Sequence, residues 1–207
     1  MKGILISFEG IDGSGKSTQS KKLYHWLKGK KYPVVYLEEP GGSNLGAKIK
    51  KILLYSQEPI EKFSELLLFL AARNQLVKEI ILPSLKKGEI LILDRFYDST
   101  LAYQGYGRGI DKSLIIKLNR IVTEGITPNL TILLDKGLKS ILRSGKDRFE
   151  NEPISFYQRV KKGYLEIALS NKTRVKTISV RADKNETFQE IKKVVIPCLQ
   201  KWHRVSF

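Results

Sequence analysis

Ile4-Leu5-Ile6-Ser7-Phe8-Glu9-Gly10-Ile11-Asp12-Gly13-Ser14-Gly15-Lys16-Ser17 joins a short apolar run to a glycine-rich turn. The run reads as a buried strand. A helix then begins near Lys16 and carries Leu23, Trp26 and Leu27 on one face before stopping at Gly29. Between them, Gly10 to Ser17 matches G-x-x-x-x-G-K-[ST] in the strand–loop–helix context that this pattern requires. The spacing has a mechanical reason. Glycines let successive backbone N–H groups turn inward around phosphate oxygens, and the helix N-terminus adds partial positive charge. Lys16 then reaches the β- and γ-phosphates, and the Ser17 hydroxyl coordinates Mg2+. A nucleotide-phosphate site over Gly10, Ile11, Asp12, Gly13, Ser14, Gly15, Lys16, Ser17 and Thr18 is therefore the first expectation.

Outward from this loop, short apolar runs alternate with segments of helical period. That is the pattern of an α/β fold, a parallel sheet of about five strands flanked by helices on both faces. Strands are expected at 4–8, 34–37, 90–93, 130–134 and 174–180, the third and fourth ending in Asp94 and Asp135. Further helices are expected at 47–54, 61–87, 112–123, 154–169 and 187–202, and Pro83 should kink or end the long one. Residues 136–152 change character. Leu138 to Arg148 is basic with little apolar periodicity, as in a short basic lid over an anionic site or in an ordinary exposed loop. The whole chain, 1–207, suits a single domain carrying that segment.

Composition narrows the class. The chain is 42% apolar and 28% charged, a globular balance. Its one cysteine, Cys198, excludes an internal disulfide and suggests a reducing compartment. The first apolar run ends at Glu9, too short for a signal peptide or a spanning helix, so a soluble cytoplasmic protein is expected. The net charge is +16, with 16 basic and 11 acidic groups in residues 1–100 and 21 and 10 in residues 101–207. Such an excess attracts polyanions, either nucleic acid or phosphorylated small molecules. Lysines outnumber arginines 27 to 10, and scattered ones such as Lys21, Lys22, Lys30 and Lys31 read as a solvated surface. Neither specific nucleic-acid binding nor a membrane partner is expected.

The loop alone does not say where the γ-phosphate goes. A GTPase would carry N-K-x-D, and the nearest match, Asn171-Lys172-Thr173-Arg174, lacks the Asp. A helicase or motor core is normally longer. Four further segments are read together with the loop. Glu38-Glu39-Pro40-Gly41-Gly42 follows the second strand, and Phe69-Leu70-Ala71-Ala72-Arg73 lies in the long helix. Asp94-Arg95-Phe96-Tyr97-Asp98-Ser99-Thr100 runs on to Tyr103-Gln104-Gly105, and Asp147-Arg148-Phe149-Glu150 precedes Tyr164-Leu165-Glu166. Phe69 and Arg73 are four apart on one helix face, where a ring and a guanidinium can stack on a pyrimidine and donate to its O4. The plainer alternative is a core Phe beside a surface Arg. Arg95 follows a strand-terminal Asp, at the carboxyl edge where open α/β sheets bind ligands; its plainer alternative is a salt bridge with Asp94 or Asp98.

With the phosphate loop, these co-linear motifs resemble the thymidylate kinases (dTMP kinases) in order and spacing over nearly the whole chain. The resemblance implies a P-loop NTPase fold and transfer of the γ-phosphoryl group of Mg·ATP to dTMP, giving dTDP and ADP. It implies that Arg95 bridges the acceptor phosphate and the transferring group, and that Thr100 and Gln104 line the thymine or sugar region with Phe69 and Arg73. Tyr103 would occupy the place of a ribose 2′-OH, Asp12 and Glu39 would lie near the sugar and its 3′-hydroxyl, and Ser99 near the base. Lys16, Arg95 and Asp12 become the catalytic candidates, with Ser17 and Asp94 for the metal. The family usually forms homodimers through helices, and residues 61–87 are the candidate interface.

The departures from the family pattern matter too. Gly13 stands where some members carry an arginine inside the phosphate loop. That makes Arg143 and Arg148, with Lys146 third, candidates for a lid cation, a role worth ~10³–10⁵ in rate. Glu38 replaces the arginine of R-E-P-G-G, and Lys50 stands for the arginine that contacts the dTMP phosphate, keeping charge but losing the bidentate fork. Weaker dTMP binding is expected. The acceptor is already an anion, so alignment and charge neutralisation should suffice without a general base. Rejecting dUMP turns on one methyl group, worth ~1–3 kcal/mol, so some dUMP turnover is expected. His25 and His203 have no ligand-spaced partners, Cys198 reads as a small apolar residue, and Trp26 and Trp202 as core or interface. On sequence alone, another nucleoside monophosphate or deoxynucleoside kinase and a P-loop nucleic-acid-binding protein stand as competing readings.

Overall fold

The structure, a computed structural model, describes residues 3–138 and 147–205, with side chains as far as residue 202. Five strands, β1 Ile4–Glu9, β2 Val34–Glu38, β3 Ile90–Asp94, β4 Leu130–Asp135 and β5 Val175–Ser179, form one sheet in the order β2-β3-β1-β4-β5. Every pairing is parallel, with Phe8 of β1 registered between Asp94 and Ile132. Parallel neighbours need crossovers, which the helices supply. These are α1 Lys16–Gly29, α2 Asn44–Tyr55, α3 Lys62–Leu76, α4 Leu82–Lys86, α5 Tyr97–Thr100, α6 Lys112–Val122, α7 Ile154–Ser170 and α8 Lys184–Val205.

The two-residue period of the strands sorts the core. Ile4, Ile6 and Phe8 face one way and, with Ile92 and Ile132, pack against Leu23 and Leu27 of α1 and Ile191 and Val195 of α8. Leu5, Leu91 and Leu93 face the other way, onto Leu76 and Phe96. On that same side Leu133 meets Phe156 and Val160 of α7. A sheet covered on both faces must be apolar on both, which is why its strands appear as unbroken apolar runs. Each fully buried Leu or Ile contributes ~1.5–3 kcal/mol.

Two segments differ from the sequence-based expectation. Helical structure continues past Pro83, because a five-residue π turn, Val77–Ile81, separates α3 from α4 and puts Pro83 in the first turn of α4. The wider turn absorbs the missing N–H and the ring's demand on the preceding carbonyls. Residues Leu101–Gly107, for which the sequence pattern predicts no element, continue α5 as a second π turn. Local propensity hides it, since Gly105 and Gly107 are poor helix formers. Its cause is tertiary. A Cβ at Gly107 would lie 2.6 Å from the Phe156 ring, so glycine is what lets this segment close on α7.

Candidate active site

The site is built from the carboxyl ends of the strands, where a cavity of about 560 Å3 opens. Gly10 (φ 139°) leaves β1 so close to β4 that a Cβ would sit 2.6 Å from the Leu134 carbonyl oxygen. Gly15 caps α1 without any side-chain bond, so the first amides of the helix have no side-chain acceptor and form a ready anion site. Lys16 is buried, donates from Nζ to the Ile11 carbonyl at 2.8 Å and stands 3.8 Å from Asp12. Burial and the Arg95 guanidinium bring its pKa down to about 8, against the pull of Asp12, Asp94 and Glu9. Asp12, Gly13, Gly15, Lys16, Ser17 and Thr18 line the cavity, whereas Gly10, Ile11 and Ser14 shape the loop without lining it.

The ten residues expected around the acceptor, Asp12, Glu39, Lys50, Phe69, Arg73, Arg95, Ser99, Thr100, Tyr103 and Gln104, all stand on the walls of that same cavity. Arg95 has φ 73°, a left-handed conformation that strains a non-glycine residue. Its Nη2 contacts Asp12 and donates to the Tyr103 hydroxyl at 3.3 Å. Its Nη1 donates to the Gly10 carbonyl (3.2 Å), Ser99 Oγ (3.1 Å) and the Tyr164 hydroxyl (3.2 Å). Asp98 instead pairs with Arg174 through two bonds of 2.6 and 3.0 Å. Burial would raise the pKa of Asp12, but Arg95 and Lys16 outweigh it and hold the carboxyl at about 2. The Tyr103 hydroxyl donates to Asp12 Oδ2 at 2.8 Å, and burial keeps its pKa well above the usual value.

Phe69 and Arg73 share a helix face, yet their situations differ. Phe69 forms an apolar wall, its ring centroid 6.0 Å from that of Phe149. Arg73 is 2% exposed and makes four hydrogen bonds to protein acceptors besides its ion pair with Glu39. Nε and Nη2 meet Glu39 Oε2 at 2.8 and 2.7 Å, and Nη2 also donates to the Phe96 carbonyl at 3.3 Å. Nη1 donates to Thr100 Oγ1 and to Asn119 Oδ1, each at 2.7 Å. Arg73 is thus no surface residue, and each of its three nitrogens already holds a protein acceptor beside any base oxygen that reaches it. Glu39 keeps one buried oxygen, Oε1, without a partner; burial raises its pKa and Arg73 opposes the rise. Gln104 donates from Nε2 at 2.9 Å to Glu65, a fully buried carboxylate that also receives Arg108 and Arg148.

Of the lid cations, Arg143 and Lys146 lie outside the described residues. Arg148 does not line the cavity: Nη2 is 2.6 Å from Glu65 and Nε donates to the Leu53 carbonyl at 3.1 Å. Its neighbours Asp147 and Phe149 do line it, as do Leu54, Lys136 and Lys184, which the sequence reading did not mark as site residues. Lys136 Nζ donates to the Gly13 carbonyl at 3.1 Å, a cation beside the phosphate loop. Lys136 and Lys184 follow β4 and β5, so the rule that ligands gather at strand carboxyl ends is the signal that finds them. Ser17 and Asp94 also line the cavity, and Asp94 Oδ1 is buried without a hydrogen-bond partner. A hydroxyl and a carboxylate are hard oxygen donors that suit Mg2+. Among the described residues no cluster of three His, Cys, Asp or Glu side chains forms a metal cage, so phosphate and water oxygens would complete the shell.

Comparison with known proteins gives one family throughout. The family model for thymidylate kinase matches residues 8–191. A thymidylate kinase of Kosmotoga olearia is 40% identical over 203 residues, covering 96% of this chain and 98% of that protein. One from Carboxydothermus hydrogenoformans is 43% identical over 197 residues, covering 93% and 96%. The crystal structure of thymidylate kinase from Ehrlichia chaffeensis superposes with a TM-score of 0.81 at 37% identity, covering 94% of this chain and 100% of that one.

Proposed function

Because the chain belongs to the thymidylate kinase family, it is an enzyme that phosphorylates dTMP to dTDP with ATP, and we propose that Lys16 and Arg95 neutralise the transfer while Asp12 aligns it. The supporting observation is that one cavity is lined both by the phosphate loop and by all ten acceptor-site residues, with Asp12 common to the two sets and paired with Arg95.

The donor phosphates lie in the Gly10–Thr18 loop, with Lys16 on the β- and γ-oxygens. The thymine rests on Phe69, with Thr100, Gln104 and the Glu39-bound Arg73 around its polar edge, while the Ser99 hydroxyl is already committed to Glu9, Tyr164 and Arg95. Tyr103 fills the space beside the sugar, Asp12 and Glu39 accept from the 3′-hydroxyl, and Lys50 faces the acceptor phosphate. Arg95 Nη2 exchanges its Asp12 contact for that phosphate and for the group in flight. The attacking oxygen is already ionised, so no base is needed; charge spread over the transferring group is met by Lys16 and Arg95, and a placed arginine is worth ~10³–10⁵ in rate. Ser17 and Asp94 would hold Mg2+, which supplies further neutralisation of the phosphate oxygens. A part in the transfer for Arg148 requires release of Glu65.

A homodimeric working form is supported by exposed apolar side chains on α3 (Phe63 43%, Leu67 48%) and α6 (Leu114 38%, Ile121 70%), a face that a second copy of the chain would cover. Leu67→Glu should then shift the mass measured by light scattering from dimer to monomer. No described helix is long and apolar enough to cross a membrane, and nucleotide substrates suit a cytoplasmic location. ADP formation against dTMP, dUMP, UMP, dCMP, dGMP and AMP tests the acceptor assignment. Strong turnover of dTMP, weak turnover of dUMP and negligible turnover of UMP are expected; preference for another monophosphate would overturn the acceptor roles.

A further inference from the structure

Glu9, the last residue of β1, is fully buried and does not line the cavity. A carboxylate in that position loses its hydration and needs donors around it. Phe96 N–H donates to Oε1 at 2.8 Å, and Ser99 Oγ and the Tyr164 hydroxyl donate to Oε2 at 2.5 and 3.1 Å. Among the described residues no lysine or arginine pairs with it directly. Arg95 reaches it only through the two hydroxyls, with Nη1 3.1 Å from Ser99 Oγ and 3.2 Å from Tyr164.

The direction of this relay follows from donor chemistry. Above about pH 7, where the Glu9 carboxyl is mostly ionised, it only accepts, and a guanidinium only donates. Each hydroxyl therefore turns its proton toward Glu9, or toward the other hydroxyl 2.8 Å away, and presents lone pairs to Arg95. The backbone is clamped as well. Arg95 N–H donates to the Phe8 carbonyl at 2.9 Å while the next amide, Phe96 N–H, donates to Glu9, so consecutive residues of β1 hold both peptides flanking the φ of 73°. A left-handed non-glycine residue costs of order 1–3 kcal/mol and persists only where its surroundings over-determine it.

We propose that Glu9 is a positioning residue for phosphoryl transfer, holding Arg95 through Ser99, Tyr164 and the Phe96 amide so that Nη1 is pinned and Nη2 is presented to the acceptor phosphate. This rests on the reading that Arg95 engages that phosphate. Glu9→Gln keeps the shape but places a donor where both hydroxyls need an acceptor, which reverses the relay.

The test is a double-mutant cycle of Glu9→Gln and Arg95→Lys at pH 8, read as kcat/KM for dTMP, with binding of a non-hydrolysable ATP analogue as the control. Glu9→Gln is expected to lower kcat/KM roughly ten- to hundredfold in the Arg95 protein, as for a misplaced reacting group, and less than about threefold beside Arg95→Lys. Affinity for the ATP analogue should change less than about twofold. Equal losses in the two backgrounds, or no loss in the Arg95 protein, overturn the proposal. Arg95→Lys without any loss overturns the premise about Arg95 instead, and the proposal with it. Tyr164→Phe removes one relay hydroxyl and leaves the carboxylate, so it covers the case in which Glu9→Gln does not fold. Its loss should likewise vanish beside Arg95→Lys, and an additive loss counts against the relay.

Discussion

Lys50 of α2 and Glu38 at the end of β2 form an ion pair on the wall of the acceptor cavity. With Gly13, these are the positions where the sequence reading finds a departure from a family arginine, and Glu38 and Lys50 face each other. Lys50 retains the positive charge, and Glu38 partly cancels it before any acceptor arrives. The wall consequently offers an incoming phosphate less positive potential than two arginines would.

Glu38→Gln frees Lys50 and is expected to lower the KM for dTMP roughly three- to tenfold at low ionic strength, less at about 0.5 M salt, because the pair is partly exposed and screened. Lys50→Arg should move KM the same way by a smaller factor. Steady-state KM at two salt concentrations checks both, and a salt-independent KM in Glu38→Gln contradicts the electrostatic account.

Arg73 and Glu39 are a buried pair, 2% and 4% exposed at the side chain. Arg73→Met leaves a buried carboxylate without its cation, and a loss of about 3–5 kcal/mol is expected. Adding Glu39→Gln removes the stranded charge and should restore roughly half of that or more. Urea unfolding of the two variants measures the difference.

The Glu9 carboxyl has its pKa pushed up to about 7 from 4.5 by burial and by Asp98 beside it, with the Ser99 bond, Arg95 and the Phe96 amide opposing. The folded state therefore keeps this proton to higher pH than the unfolded chain does. The associated stability is fully present below about pH 4.5 and is lost as pH rises through about 7, of order 3 kcal/mol in all. The groups facing it are Asp98 and Ser99 of α5, Arg95, and Tyr164 of α7. Glu9→Gln cannot ionise, so in urea melts its stability relative to the parent should rise by of order 3 kcal/mol between pH 5 and pH 8, on top of a pH-independent cost of the misplaced amide. A relative stability that stays the same from pH 5 to pH 8 would show that Glu9 ionises without strain.

The Tyr103 ring is wedged edge-to-face among Phe149, Phe156 and Tyr164, with centroids 5.9, 5.9 and 6.3 Å away. In the proposed binding mode Tyr103→Ala opens the place of a 2′-hydroxyl, and UMP turnover relative to dUMP should then rise roughly tenfold or more. Stability should fall by about 3–5 kcal/mol. Tyr103→Phe keeps the ring, so it should keep the discrimination. Competition assays with the two nucleotides provide the ratio.

The phosphate loop and the parallel sheet were legible in the sequence because both depend on local order. A helix beginning at Lys16 after Gly10 and Gly15 requires only turn geometry and a strand before it. Apolar runs of five or six residues, each followed by a helical period, leave little choice but a sheet covered on both faces. The relationships that tertiary structure alone decided join residues far apart in the chain. Arg73 spends its donors on Glu39, Thr100 and Asn119, at sequence separations of 34, 27 and 46. Arg148 turns to Glu65, Glu9 stands behind Arg95, and residues 101–107 become helical against α7. A sequence shows which residues carry charge but not which of them lose their water. Once a guanidinium or carboxylate is buried, every donor and acceptor on it must find a partner within hydrogen-bond reach, and packing chooses that partner.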